Sequence, residues 1–459
     1  MEQITKPHCG ARLDRLPDCR WHSSMFAIVA FGLLVCWSNA VGGLILAQLK
    51  ALGWTDNSTT ATFSAITTAG MFLGALVGGI IGDKTGRRNA FILYEAIHIA
   101  SMVFGAFSPN MDFLIACRFV MGVGLGALLV TLFAGFTEYM PGRNRGTWSS
   151  RVSFIGNWSY PLCSLIAMGL TPLISAEWNW RVQLLIPAIL SLIATALAWR
   201  YFPESPRWLE SRGRYQEAEK VMRSIEEGVI HQTGKPLPPV VIADDGKAPQ
   251  AVPYSALLTG VLLKRVILGS CVLIAMNVVQ YTLINWLPTI FMTQGINLKD
   301  SIVLNTMSMF GAPFGIFIAM LVMDKIPRKT MGVGLLILIA VLGYIYSLQT
   351  SMLLITLIGF FLITFVYMYV CYASAVYVPE IWPTEAKLRG SGLANAVGRI
   401  SGIAAPYAVA VLLSSYGVTG VFILLGAVSI IVAIAIATIG IETKGVSVES
   451  LSIDAVANK

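Results

Sequence analysis

The sequence predicts an all-α membrane protein: twelve transmembrane helices in two pseudo-symmetric six-helix bundles. Three observations lead there. The 459 residues are 56% hydrophobic and only 12% charged, with mean hydropathy +0.72; soluble domains carry about twice that charge fraction. Apolar runs recur at spanning length, which takes ~20 residues. Charged landmarks that follow the second, fourth and sixth runs return after the eighth, tenth and twelfth.

The N-terminus opens polar (Glu2, Lys6, Arg12, Asp14, Arg15, Asp18, Arg20), and the first apolar run starts only near Ser24. That run is too long for a cleaved signal core, so it reads as a retained span. The spans fall at 24–48, 60–82, 90–108, 111–137, 148–174, 181–202, 264–290, 301–324, 331–349, 352–378, 389–415 and 418–441. Lipid cannot satisfy an open sheet edge, so each is read as a helix. With both termini on one side, that side and the span ends next to it collect 28 of the 32 Lys and Arg residues if Arg399 inside span 11 is counted with them, leaving Lys50, Arg118, Arg181 and Lys299 elsewhere. The positive-inside rule then makes both termini cytoplasmic. It also accounts for the net charge of +8 without nucleic acid, because the charge is spread over short loops. Residues 203–263 are polar, with "RYQEAEKVMRSIEEG" as an amphipathic helix and a Pro-rich stretch after it. The expected domains are residues 1–203, a 204–263 linker and residues 264–459.

The halves repeat. "GDKTGRR" after span 2 answers "MDKIPRK" after span 8, "TEYMPGRNRG" answers "VPEIWPTEAKLRG", and "PESPRW" answers "IETKG". Asp83 and Asp324 stand 241 residues apart, Glu138 and Glu380 242, Glu204 and Glu442 238. A duplicated bundle that rocks about a midplane site is the architecture of secondary transporters. Each landmark pairs an acid with basic residues, a pattern suited to breakable bridges between neighbouring helices. The expected gate comprises Asp83, Arg87, Arg88, Glu138, Arg145, Glu204, Arg207, Asp324, Arg328, Glu380 and Arg389; solvated loop charges are the plainer alternative.

At these residues the chain resembles the major facilitator superfamily. Gly79 to Arg88 carries that superfamily's G-x-x-x-D-[RK]-x-G-[RK]-[RK] signature, and "RFVMGVGLG" matches its fourth-helix motif. "PESPRWL" and "ETKG" are similar to the sugar-porter branch and its metabolite-transporter relatives. The resemblance implies the major facilitator fold and a gradient-coupled transporter working by alternating access. It also implies a coupling role for Arg118. The second copy of the signature has Met320 and Pro327 in place of glycines, so its turn is expected to differ. The paired glutamine of sugar porters falls on Ala275 and Met276, and their helix-1 acid on the Ser38–Asn39 region, which places a plain hexose in doubt.

"GVGLGA" follows no strand, so it reads as close helix packing rather than a dinucleotide loop. No Walker sequence occurs, and no catalytic cluster. The seven cysteines are scattered and the four histidines lack metal spacing, so no metal and no cofactor are expected.

Candidate substrate residues are Asn277, Gln280, Tyr281, Asn285 and Trp286, which trace one face of span 7, with Asn157 and Trp158 in span 5 and Arg399 in span 11. Amides and a phenol suit hydroxyls; interhelical glue is the alternative. Glu95 and His98 share a face of span 3, Glu95 lying ~9 Å along it. With Arg118 they are the candidate proton carriers; a snorkelling Glu95 is the other reading. Arg399 lies ~15 Å into a core of ~30 Å. An arginine there costs about 3 kcal/mol if it faces lipid, so it faces the interior and needs either an acidic partner in the protein or an anionic ligand. "RISGIAAP" resembles organic-ion transporters, in which this position carries a charge opposite to the ligand's.

The expected function is proton symport of a small hydroxylated metabolite, a sugar acid or other organic anion. The alternatives are a neutral-sugar symporter or facilitator, and a membrane sensor or intramembrane enzyme. The expected partners are that solute, protons and the lipid bilayer, with no nucleic acid, in a monomer of the inner (plasma) membrane.

Overall fold

The structure, a computed structural model, describes residues 7–17, 19–141, 145–240, 253–323, 325–383 and 386–444. Asp324 of the expected gate lies outside them, as does the side chain of Arg145. Among the described residues there are helices and no strand. Nine of those helices are long and apolar enough to cross a membrane.

Ahead of the spans lies α1 (Cys9–Asp14). Span 1 is split into α2 (Arg20–Val35) and α3 (Gly42–Ala51), with residues 36–41 non-helical between them. Ser38 and Asn39 sit in that break, where short polar side chains compete for backbone groups and disfavour helix. Spans 2 to 4 are α4 (Asn57–Thr85), α5 (Arg87–Ala106) and α6 (Met111–Tyr139). Span 5 is α7 (Arg145–Asn157) and α8 (Ser159–Leu170), divided at Trp158, and span 6 is α9 (Ala176–Tyr201). The loop region forms α10 (Pro206–Ser211), α11 (Tyr215–Thr233), where the amphipathic pattern predicts a helix, and α12 (Tyr254–Leu257).

Span 7 is α13 (Gly260–Thr293); span 8 is α14 (Leu298–Met309) with α15 (Gly311–Val322); span 9 is α16 (Arg328–Ser347). Span 10 runs through α17 (Met352–Val370), a π-helical turn Cys371–Tyr377 and α18 (Val378–Glu380). Spans 11 and 12 form α19 (Lys387–Ile439), which turns at Gly417 with φ 65°. Twelve spans result.

The repeat is visible in the packing. Gly70 and Gly74 of α4 lie so close to α6 that an added Cβ would overlap the carbonyls of Phe119 and Val123. Gly311 and Gly315 of α15 stand in the same relation to Phe360 and Thr364 of α17. Every one of these positions recurs 241 residues later. Gly126 abuts Met71 and Gly124 abuts the His98 backbone, so "GVGLGA" is a packing surface, as small residues in membrane helices allow.

Compactness does not follow chain order. One unit holds Met1–Asn39, Gly70–Ser159 and Leu184–Gly246; the other holds Ala40–Ala69, Tyr160–Gln183 and Lys247–Lys459. In the first, Met25, Phe91, Leu128, Phe136, Tyr139 and Trp148 form a buried core. A satellite core joins Cys9, Leu13 and Leu16 of α1 to Trp208, Met222, Ile225 and Val229. Arg12 donates to Glu219 and, twice, to Glu226, while Arg15 also donates to Glu226 at 2.6 Å. In the second unit α13 packs along α19, where Gly398 sits on Leu273 and Asn277 and Gly402 on Tyr281.

Candidate transport site

The first-unit cluster forms where α2 ends. Glu95 and His98 are fully buried, so Glu95 does not snorkel. His98 Nδ1 lies 3.5 Å from Glu95 Oε2. Cys36 Sγ is 3.7 Å from Glu95 Oε1. His98 Nε2 lies 2.7 Å from the hydroxyl of Ser38, and Arg118 Nη1 donates to the Ser38 carbonyl at 2.8 Å. The three expected proton residues therefore meet around Ser38. The sequence marks Ser38 only as a residue that replaces an acid and Cys36 only as one of the scattered cysteines. The helix break, seen only in three dimensions, is what brings them in.

Cys36, Glu95 and His98 present sulfur, oxygen and nitrogen atoms within 4.8 Å of one another, a spacing that a metal ion could bridge. Against that use stands Arg118, whose guanidinium reaches the same serine and places a fixed positive charge beside any cation.

In the second unit the span-7 stripe divides. Asn277 donates to the Leu273 carbonyl at 2.7 Å and faces Gly398. It behaves as a helix–helix contact. Asn285 and Trp286 are buried; the Trp286 indole N–H has no partner among the described residues. Gln280 is half-buried and borders Tyr367, against which Tyr160 packs at 5.3 Å. Tyr367 hides in the run "FLITFVYMYV", which reads as uniformly apolar. Asn305 donates to Ser164 at 3.1 Å, another polar pair with no sequence signal. Arg399 is half-buried in α19, one residue past Gly398, and its Nη1 is buried with no partner among the described residues. Asn157 and Trp158 fall in the first unit, where Asn157 donates to the Ser153 carbonyl at 2.7 Å.

The charged landmarks are ties within each unit. Arg87 donates to Asp83 at 2.7 Å and to Glu138 at 2.8 Å; Arg328 donates to Glu380 at 3.0 Å. Glu204 departs from the expected side-chain bridge. It accepts the backbone N–H groups of Arg87 and Arg88 at 2.7 and 3.2 Å, closing the start of α5. Glu442 does the same for Arg328 and Lys329 at 2.7 and 3.1 Å at the start of α16. Burial pushes the Glu442 carboxyl up, but those N–H bonds and the Arg328 charge outweigh it and hold it below its ordinary value. Arg88 donates to the Trp199 carbonyl at 2.5 Å, Arg207 to Asp14 at 2.9 Å, and Arg389 lies 5.2 Å from the Tyr254 ring. The turn before α16 lacks a positive φ, with Pro327 at −56° where Gly86 has 96°.

A twelve-span helical chain with a duplicated packing scheme, signature charges at its helix ends and polar groups inside its spans is a membrane transporter, not an enzyme. The model of the Major Facilitator Superfamily matches residues 25–406, and the chain belongs to that family. It is 44% identical to the inner membrane metabolite transport protein YdjE of Escherichia coli (strain K12), over 98% of this chain and 99% of that one. It is 25% identical to the niacin transporter NiaP of Acinetobacter baylyi, over 96% and 99% of the two chains. Its fold matches the inward open conformation of the xylose transporter XylE from E. coli with a TM-score of 0.74 at 17% identity, covering 94% of this chain and 99% of that one.

Proposed function

We propose that the protein is a proton symporter for a small hydroxylated organic anion such as a sugar acid, working by alternating access. One observation carries the reading: Arg399, deep in an apolar helix, keeps a buried guanidinium nitrogen without a partner among the described residues. A guanidinium left so is costly, and a carboxylate ligand would satisfy it through paired hydrogen bonds. Gln280, against Tyr367, and Tyr160, packed on the same ring, offer amide and phenol groups of the kind that suit hydroxyls. Niacin, which the name of one relative specifies, is a carboxylate at neutral pH, which supports an anion. The buried Glu95–His98 pair is the proton carrier, with Arg118 holding the neighbouring backbone. In this reading the protein is a monomer of the inner membrane with both termini cytoplasmic, and its two six-helix halves are the moving bodies.

The test is uptake into proteoliposomes. An inward pH gradient should drive accumulation, and Arg399→Lys should weaken carboxylate solutes more than neutral ones. Equal losses for both would refute the anion assignment. A neutral sugar is the second reading, favoured by the uncharged groups around Gln280; it gains if a sugar still evokes current in Arg399→Gln.

A further inference from the structure

Ser38 is the residue on which the break in span 1 and the proton cluster converge. It is fully buried and non-helical. Its hydroxyl lies 2.7 Å from His98 Nε2 and its carbonyl accepts from Arg118 at 2.8 Å. The half-helix beyond the break, α3, packs on α13 so tightly that a Cβ on Gly43 would overlap the Ile284 carbonyl and sit 2.9 Å from that of Asn285. One residue thus touches His98 of the titratable pair while standing in the break from which the chain passes into α3.

We propose that Ser38 is a positioning residue that converts the protonation state of the Glu95–His98 pair into the geometry of the span-1 break. The proposal rests on the proton-symport reading. A hydroxyl can donate or accept. When His98 is an imidazolium, its Nε2–H donates to Ser38 Oγ and its Nδ1–H points at Glu95. When one proton leaves to water, the neutral ring keeps Nδ1–H toward the carboxylate. Nε2 then becomes an acceptor, and the Ser38 O–H must rotate to donate to it. The bond persists but its direction reverses, in a segment whose backbone is not held by helix hydrogen bonds. Arg118 anchors the carbonyl of the same residue in both states, so the change is confined to residues 36–41. The titratable and charged groups around His98 are Cys36 from the break, Glu95 from its own helix and Arg118 from α6. Gly124 of α6 brings only backbone against it.

The test needs no substrate. Nitrogen-15 NMR of histidine-labelled protein, with His98 assigned through His98→Gln, reads the protonation of its ring as pH is varied. Hydrogen exchange of residues 36–41, corrected for the intrinsic pH dependence of exchange, follows the break. In the unmodified protein, protection of the break should change about tenfold across the His98 titration. Ser38→Ala should abolish that change and shift the His98 midpoint, and Ser38→Thr, which keeps the hydroxyl, should restore both. A purely packing role would lower thermal stability in Ser38→Ala while leaving the pH dependence of exchange in place, and that result overturns the proposal. If His98 titrates normally and Ser38→Ala behaves as the unmodified protein, Ser38 alone is refuted. If neither His98 nor Glu95, followed by its carboxyl infrared band, titrates in the unmodified protein, the symport reading falls with it.

Discussion

Glu204 accepts the backbone N–H of Arg87 at 2.7 Å across 117 residues of chain. An anion at a helix start satisfies orphan donors and favours the helix dipole. Its counterpart, Glu442 on Arg328, does so across 114 residues. Gly86, with φ 96°, both turns the chain and leaves room for the Glu204 carboxylate. Gly86→Ala should therefore cost roughly 1–3 kcal/mol, the scale of a side chain forced into left-handed backbone. The thermal midpoint of detergent-purified protein should fall, and an unchanged midpoint would refute the contact.

The two arginine ties should differ in weight. The Arg328 side chain is 6% exposed and that of Arg87 17%. Although Glu380 is 35% exposed and Glu138 20%, removing the more buried cation breaks two bonds to Glu380 and one to the Met323 carbonyl. Arg328→Met should lower stability by about 2–3 kcal/mol and Arg87→Met by about 1 kcal/mol, between the surface and buried limits. Chemical-denaturation midpoints of the pair check the order.

The glycine crossings should respond alike in both halves. Gly74→Ala and Gly315→Ala each drive a methyl into a carbonyl of the facing helix, and overpacking of this kind costs about 1–3 kcal/mol. Gly79→Ala, on the same helix as Gly74 with open space around it, should be neutral or mildly stabilising. Loss of monodispersity in the first two variants but not the third is the expected chromatographic result.

Docking of α1 should weaken in acid. Burial pushes the Glu226 carboxyl up, but hydrogen bonds and charge from Arg12 and Arg15 outweigh it, so it lies below its ordinary value of 4.5. A carboxyl lowered on folding contributes stability above its unfolded value, and that contribution is lost as pH falls through the lower folded value. Exchange protection of residues 9–16 should hold from neutral pH to about 5 and then decline. Cys9 reports the same event: burial first, then the nearby Glu210 charge, push its thiol up to about 12. It should resist maleimide at neutral pH and become reactive in Arg12→Ala, as counted by mass spectrometry.

The span pattern was legible because a bilayer demands long apolar runs, and the 241-residue repeat because charges at helix ends survive as local motifs. Arg399 stood out for the same reason, one charge in an apolar field. What stayed hidden depends on the third dimension. The role of Glu204 as a cap needs the distant Arg87 amide. Ser38 is legible as a residue in place of an acid, but its contact with His98 appears only once residues 36–41 leave the helix. Asn277, read with its neighbours as one polar stripe, turns out to bond its own backbone against Gly398, a distinction that spacing along a helix does not contain.

The contact between Gly43 and the backbone of Ile284 and Asn285 has a consequence for the order of manufacture. The segment Gly42–Ala51 leaves the ribosome some 240 residues ahead of its packing partner. At roughly 5–20 residues per second, that is a wait on the order of tens of seconds. During it the glycine face of the segment lacks its partner, whereas the buried amide of Gln48, which donates to Asn179 at 3.4 Å, meets its own partner earlier. The nascent first half is thus an unfinished surface, and the cell's membrane-insertion machinery, rather than the finished fold, must shelter it until α13 arrives.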